Sequence, residues 1–190
     1  MLFLDQPRRH LAVAATCGAL ALGAASAYAG DLELTTRRDG DGIEINARAR
    51  LSGSAESAWK VLTDYERYAA FIPDLHTSKI VSRIANRLVV EQRGEARFLW
   101  FKLPMIATLA VTETAPVRVE SQLMRGTLRE MRGRYELVND ADGLRFVYTG
   151  RLVPDAEQRG LFDHVAIRAN VTRQLEALVR EIDRAGANND

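Results

Sequence analysis

The 190-residue chain is 47% hydrophobic and carries 26 Lys+Arg against 25 Asp+Glu. That composition supplies the core of one domain of ordinary size. The near cancellation of charge gives no indication of the strongly basic face that nucleic-acid binding needs.

Residues 1–29 read differently from the rest. Arg8 and Arg9 give a positive start, and the stretch from Leu11 to Ser26 carries no charge. Ala27-Tyr28-Ala29 then places small residues at the two positions a signal peptidase reads. The apolar stretch is short and Ala-rich for a membrane span, which needs about 20 residues. The segment therefore reads as a cleaved signal, with a mature domain at 30–190 in the periplasm or secreted. The paired arginines also suit twin-arginine export. The alternative is an uncleaved membrane anchor. Cys17, the sole cysteine, lies inside this segment. Ala14-Ala15-Thr16 before it lacks the Leu and the adjacent small residue of a lipoprotein signal. The mature chain would thus have no disulfide.

Leu32–Arg37 and Ile43–Leu51 are strand-like, joined by the turn Asp39-Gly40-Asp41-Gly42. In the second, Ile43, Ile45, Ala47, Ala49 and Leu51 alternate with polar residues, so one face is buried. The period then changes. Ser54 is placed to cap a helix with Ala55, Trp59 and Leu62 on one face. Asp64 is placed to cap a second short helix carrying Tyr65, Tyr68, Phe71 and Ile72, ended by Pro73.

From His76 to Val153 the sequence reads as consecutive strands: 77–84, 87–101, 105–114, 117–128, 131–138 and 144–153. Asn86, Pro104, Pro116 and Asp142-Gly143 sit at the breaks. Short connections make this sheet antiparallel. Residues 161–185 then carry apolar positions at 161, 165, 169, 171, 175, 178, 179 and 182, the spacing of one long amphipathic helix. Gly186 and a polar tail end it. The expected fold is α+β: a curved antiparallel sheet of about six to eight strands, gripping the long final helix, with two short helices after the first strands.

The segment Trp59-Lys-Val-Leu-Thr-Asp-Tyr-Glu-Arg-Tyr-Ala-Ala-Phe-Ile-Pro73, and the later Val89–Phe98, resemble the SRPBCC (START-like) superfamily. Within it the similarity is to the polyketide cyclase/dehydrase and coenzyme Q-binding branch, over about residues 43–185. The resemblance implies a helix-grip fold around an apolar cavity and a hydrophobic ligand. It does not fix an activity, because one fold hosts many functions. The expected export departs from the mitochondrial or cytoplasmic ubiquinone-binding members. Export and balanced charge also argue against the role of a related ribosome-associated toxin.

Alternation places Val90, Gln92, Gly94, Ala96, Phe98 and Trp100 on the inward face of one strand, with Arg93, Glu95 and Arg97 outward. Inward candidates on later strands include Ser121, Leu123, Met131, Gly133, Tyr135, Phe146, Tyr148 and Gly150. Val165 and Ala169 are the candidates on the final helix. The glycines either leave room for a ligand or mark bulges. The inward polar groups Gln92, Ser121, Tyr135 and Tyr148 either bond internally or serve as polar handles in an apolar site.

Support for catalysis is thin. His76 and His164 are too scattered for a metal cluster and suit surface or capping roles. Ser121, Asp74 and His164 could meet as nucleophile and base, but no spacing argues that they do. No glycine-rich phosphate loop follows a strand, and no cofactor or metal is implied. Arg125, Arg129, Arg132 and Arg134 suit either transient contact with an anionic membrane surface or a solvated strand edge. The expected function is an exported, noncatalytic binding protein for a lipid, quinone or polyketide-like molecule. The alternatives are a cyclase/dehydratase using the same cavity, or an interaction module whose cavity its own side chains fill.

Overall fold

The computed structural model describes residues 32–98, 101–156 and 164–188. The expected signal, its Cys17, and residues 161–163 of the expected final helix lie outside the described residues. Strands β1 (Glu33–Asp39) and β2 (Gly42–Arg50) form the expected hairpin. Its turn sets Gly40 at φ +59°, a backbone angle that glycine adopts without a steric cost. Ile43, Ile45, Ala47 and Ala49 of β2 are buried, as their alternation requires.

Helix α1 (Ala55–Thr63) starts where Ser54 Oγ accepts the Ser57 N–H at 3.1 Å. Its buried face runs through Ala58, Val61 and Leu62. The expected face is thus rotated, and Ala55 and Trp59 pack half-buried on its flank. Asp64 does not cap the next helix. Its backbone N–H closes α1 onto the Val61 carbonyl and its carboxylate turns to Arg67. The chain passes instead through a 3-10 turn at Tyr65–Arg67 into α2 (Tyr68–Phe71). The rings of Tyr65, Tyr68 and Phe71 pack successively at 5.7 and 5.6 Å. The Tyr68 hydroxyl donates to the Leu62 carbonyl at 2.7 Å and ties α2 to α1.

Six strands follow: β3 (Leu75–Ile84), β4 (Arg87–Phe98), β5 (Phe101–Thr114), β6 (Arg118–Gly126), β7 (Leu128–Asp140) and β8 (Gly143–Pro154). All pairings are antiparallel, and β8 returns to β2, giving the order β1-β2-β8-β7-β6-β5-β4-β3. Two expectations change here. Pro104 lies within β5, opposite Glu95, and not at a break. It is tolerated because β6 joins β5 only from Ala107 onward, so the missing N–H faces no strand. The arginines 125, 129, 132 and 134 sit on or beside interior strands, not an edge; the edges are β1 and β3. They pair with Glu91, Asp41, Glu130 and Glu120.

The long helix α3 (His164–Ala187) buries Ile167, Asn170, Leu175, Leu178, Val179 and Ile182. It packs against α1 and reaches β1 and β4. Sheet, α3 and the short helices share one hydrophobic core, with Phe146, Ile45, Leu62, Leu178 and Ile182 among its most enclosed members.

Candidate functional site

Between the sheet and α3 the described residues leave a cavity of about 220 Å³. The sheet side is built from Gln92, Gly94 and Ala96 of β4, Met105 and Ala107 of β5, Leu123 of β6, Met131 and Tyr135 of β7, and Tyr148 and Leu152 of β8. The helix side is Ile167, Asn170, Val171, Gln174, Leu175 and Leu178, and the α2–β3 connection adds Tyr68, Ile72, Asp74 and Leu75. The lining is mostly apolar with a few polar groups, the make-up of a small-molecule site.

The floor is shaped by paired glycines. Gly133 and Gly150 stand opposite each other on β7 and β8, with Ser121 beside Gly133 on β6. A Cβ at Gly150 would lie 2.3 Å from the Tyr148 hydroxyl oxygen, and one at Gly133 would lie 3.1 Å from its ring. The Tyr148 ring therefore lies down over both glycines. Tyr135 packs against it at 4.9 Å and against Phe146 at 5.9 Å. Burial raises the Tyr135 hydroxyl to a pKa of about 12 and pushes Tyr148 higher still, so both stay neutral donors.

Gly94 resolves the choice between room and bulge. A Cβ there would lie 2.3 Å from the Asp74 carbonyl oxygen and 3.1 Å from Leu75 Cα. That oxygen accepts the Glu95 N–H at 2.8 Å, and the β3–β4 register shifts between Leu75 and Thr77. Gly94 thus borders the cavity, but the chain turning into β3 fills the space a side chain would take.

A polar clasp closes one side. Beyond Gly94, β4 has no β3 partner. The Asn170 side chain replaces one: its Oδ1 accepts the Arg97 N–H at 3.0 Å and its amide donates to the Arg97 carbonyl at 2.7 Å. Asp74, at φ +64° and with its side chain 6% exposed, accepts hydrogen bonds from Arg97 Nε and from Arg173 at 3.0 Å. Glu95 is bound by Lys102, whose hydrogen bond holds its carboxyl below the usual range.

Of the sequence candidates, Gln92, Gly94, Ala96, Leu123, Tyr135 and Tyr148 line the cavity. Trp100 lies outside the described residues, as does the Phe98 side chain. Val90 and Phe146 are sealed in the core, at 1% and 0% exposure, and Ser121 turns its hydroxyl to the Gly133 carbonyl. Val165 and Ala169 point to solvent, Val165 at 68% exposure. They stand two residues either side of Ile167, about 200° round the helix from it. Stepping back from Ile182 through Leu178, Leu175 and Val171 reaches Ile167 and would have found the true face. Asn170 and Gln174 gave no apolar signal and were missed.

Gln92 donates to Ser78 at 3.3 Å. His164 meets Thr36 at 2.8 Å, Ser121 meets Gly133, and Asp74 meets its two arginines, so these three hold separate partners. Among the described residues no group of His, Cys, Asp and Glu is arranged to hold a metal ion. No described helix is long and apolar enough to cross a membrane.

Similar architecture recurs in solved structures. The Zhui aromatase/cyclase from Streptomyces sp. R1128 matches with TM-score 0.59 at 14% identity, over 84% of this chain and 96% of that one. A STAR-related lipid transfer protein from Xanthomonas axonopodis matches with TM-score 0.60 at 18% identity, over 80% and 93%. A START superfamily protein from Mycobacterium smegmatis matches with TM-score 0.57 at 13% identity, over 80% and 100%. No curated protein matches the chain. These likenesses show a shared fold. The sequence model that describes polyketide cyclase/dehydrase and lipid transport proteins matches residues 42–184, which takes in all the secondary structure from β2 through nearly the whole of α3, so the chain belongs to that family.

Proposed function

We infer that this protein is an exported, noncatalytic carrier or binder of a compact hydrophobic small molecule held between the sheet and α3. The observation that carries the reading is a mostly apolar cavity of about 220 Å³. An apolar cavity of about 150 Å³ already accommodates benzene, so a one- or two-ring compound is of the right order. The family, and a structural neighbour named for lipid transfer, support a hydrophobic ligand. Export rests on the uncharged segment ending at Ala27-Tyr28-Ala29.

The rival reading is a cyclase or dehydratase, favoured by the neighbour named as an aromatase/cyclase. Such chemistry needs a poised acid or base facing the ligand. Among the described residues the carboxylates that line this cavity are Asp74 and Glu95, both engaged by cationic side chains. Glu95 is held ionised, which suits it poorly as a proton donor.

Native mass spectrometry of protein purified without detergent, followed by solvent extraction, tests the reading. The expected result is an apolar small molecule released unaltered. A protein that converts an added polyketide-like ketone with turnover would overturn the noncatalytic role. One that carries and takes up no apolar compound would overturn binding.

A further inference from the structure

Tyr135 and Tyr148 are the only hydroxyl-bearing side chains besides Tyr68 that line the cavity among the described residues. Tyr68 spends its hydroxyl on the Leu62 carbonyl. The other two hydroxyls make no hydrogen bond with any described residue, although Tyr148 is only 7% exposed. They are also not sealed off, since the enclosed polar side-chain atoms without a partner are Arg118 Nε and Arg145 Nε. A neutral hydroxyl that is neither bonded nor sealed remains accessible to a partner. Two such groups belong to residues that line the same cavity, on rings 4.9 Å apart. A hydrocarbon that covered these donors would leave them buried and unsatisfied, a free-energy cost that a ligand acceptor avoids.

The charge pattern restricts the acceptor. No Lys, Arg or His lines the cavity among the described residues, and its charged lining groups are Asp74 and Glu95. The cations beside those two carboxylates are already engaged by them, so an anionic oxygen would be desolvated with no free counter-charge among the described lining residues, which is strongly unfavourable. A neutral oxygen loses far less on entering and gains the two donors. Resting on the reading of the cavity as a hydrophobic-ligand site, we propose that Tyr135 and Tyr148 form a donor pair that selects ligands bearing a neutral carbonyl oxygen, such as aromatic ketones or quinones, over hydrocarbons and carboxylates. The paired glycines 133 and 150 belong to the same device. By letting the Tyr148 ring lie flat, they hold its hydroxyl on the floor and keep the volume above it for the ligand.

The test compares tetralone, a two-ring ketone, with tetralin, the same skeleton without the carbonyl, and with tetralin carboxylate. Affinities are measured by calorimetry for the wild type, Tyr135→Phe, Tyr148→Phe and the double variant, with melting curves to verify folding. Each Phe substitution is expected to weaken tetralone roughly 2- to 10-fold and leave tetralin unchanged. The carboxylate is expected to bind most weakly throughout. The infrared carbonyl stretch of bound tetralone should lie below its value in hydrocarbon solvent in the wild type and return to it in the folded double variant. Tetralone affinity and carbonyl stretch that are unchanged in the double variant would overturn the donor pair while leaving hydrophobic binding intact. A wild type that binds neither tetralone nor tetralin would overturn the hydrophobic-ligand reading itself, and the donor pair with it.

Discussion

Gly94→Ala is the sharpest test of how the cavity is bounded. The added methyl carbon would lie 2.3 Å from the Asp74 carbonyl oxygen and 3.1 Å from Leu75 Cα. Both contacts are with backbone, so no flexible side chain can swing away. Relief requires the entry to β3 to shift, which strains the bond from Glu95 N–H to Asp74 O and displaces Asp74 from Arg97 and Arg173. Forced overpacking costs about 1–3 kcal/mol. A backbone clash belongs at the upper end, and a lost hydrogen bond adds about 1 kcal/mol. The expected destabilisation is therefore about 3 kcal/mol, or roughly 6–12 °C in Tm for a domain of this size. Urea denaturation measures it, as a lower midpoint with an unchanged slope. A loss below about 1 kcal/mol would refute the reasoning, because the β3 entry would then be free to yield and Gly94 would be open cavity wall.

Asn170→Ala removes both partners of the Arg97 backbone groups, a third bond to the Ala166 carbonyl, and a fourth accepted from the half-buried Arg173. At about 0.5–1.5 kcal/mol per bond, the expected loss is about 2–3 kcal/mol in chemical denaturation, with faster amide exchange at Arg97; unchanged exchange there would contradict the clasp. Glu181 is bound by Arg184 and Arg67, and the Arg184 hydrogen bond lowers its pKa from 4.5. A depressed folded pKa contributes stability that is present above the unfolded value and lost as pH falls through the folded one. Glu181→Gln should therefore flatten the decline in stability below pH 4.5; parallel stability curves for wild type and variant would refute it. Intact mass of the exported protein should correspond to a chain beginning at Gly30, and a membrane-bound chain retaining Arg8 and Arg9 would refute cleavage.

The fold was largely legible because its signals are local. The β1–β2 turn, the Ser54 cap, the alternation along β2 and the 3.6 period of α3 each involve neighbours within a few residues. Local signals also placed Gln92, Ala96, Leu123, Tyr135 and Tyr148 on inward faces, since alternation alone decides which way a strand residue points. Depth is another matter. Val90 and Phe146 point inward like Gln92 and Tyr148, but only the packing of α3 and the short helices determines which inward residues are sealed and which border open space. The helix face went astray at Val165 and Ala169 because small apolar residues there fit a loose period. Asn170 and Asp74 carried no periodic signal at all. Their roles come from where β3 stops pairing with β4; Asn170 meets Arg97 73 residues away, and Asp74 meets Arg97 and Arg173, 23 and 99 residues away. The same holds for the arginines taken for an edge: strand order is fixed when β8 returns to β2, a long-range pairing that no local pattern encodes. Sequence determined which elements form and which way their residues face. Tertiary structure alone decided which faces meet, what space remains between them, and which polar groups are left without a partner beside it.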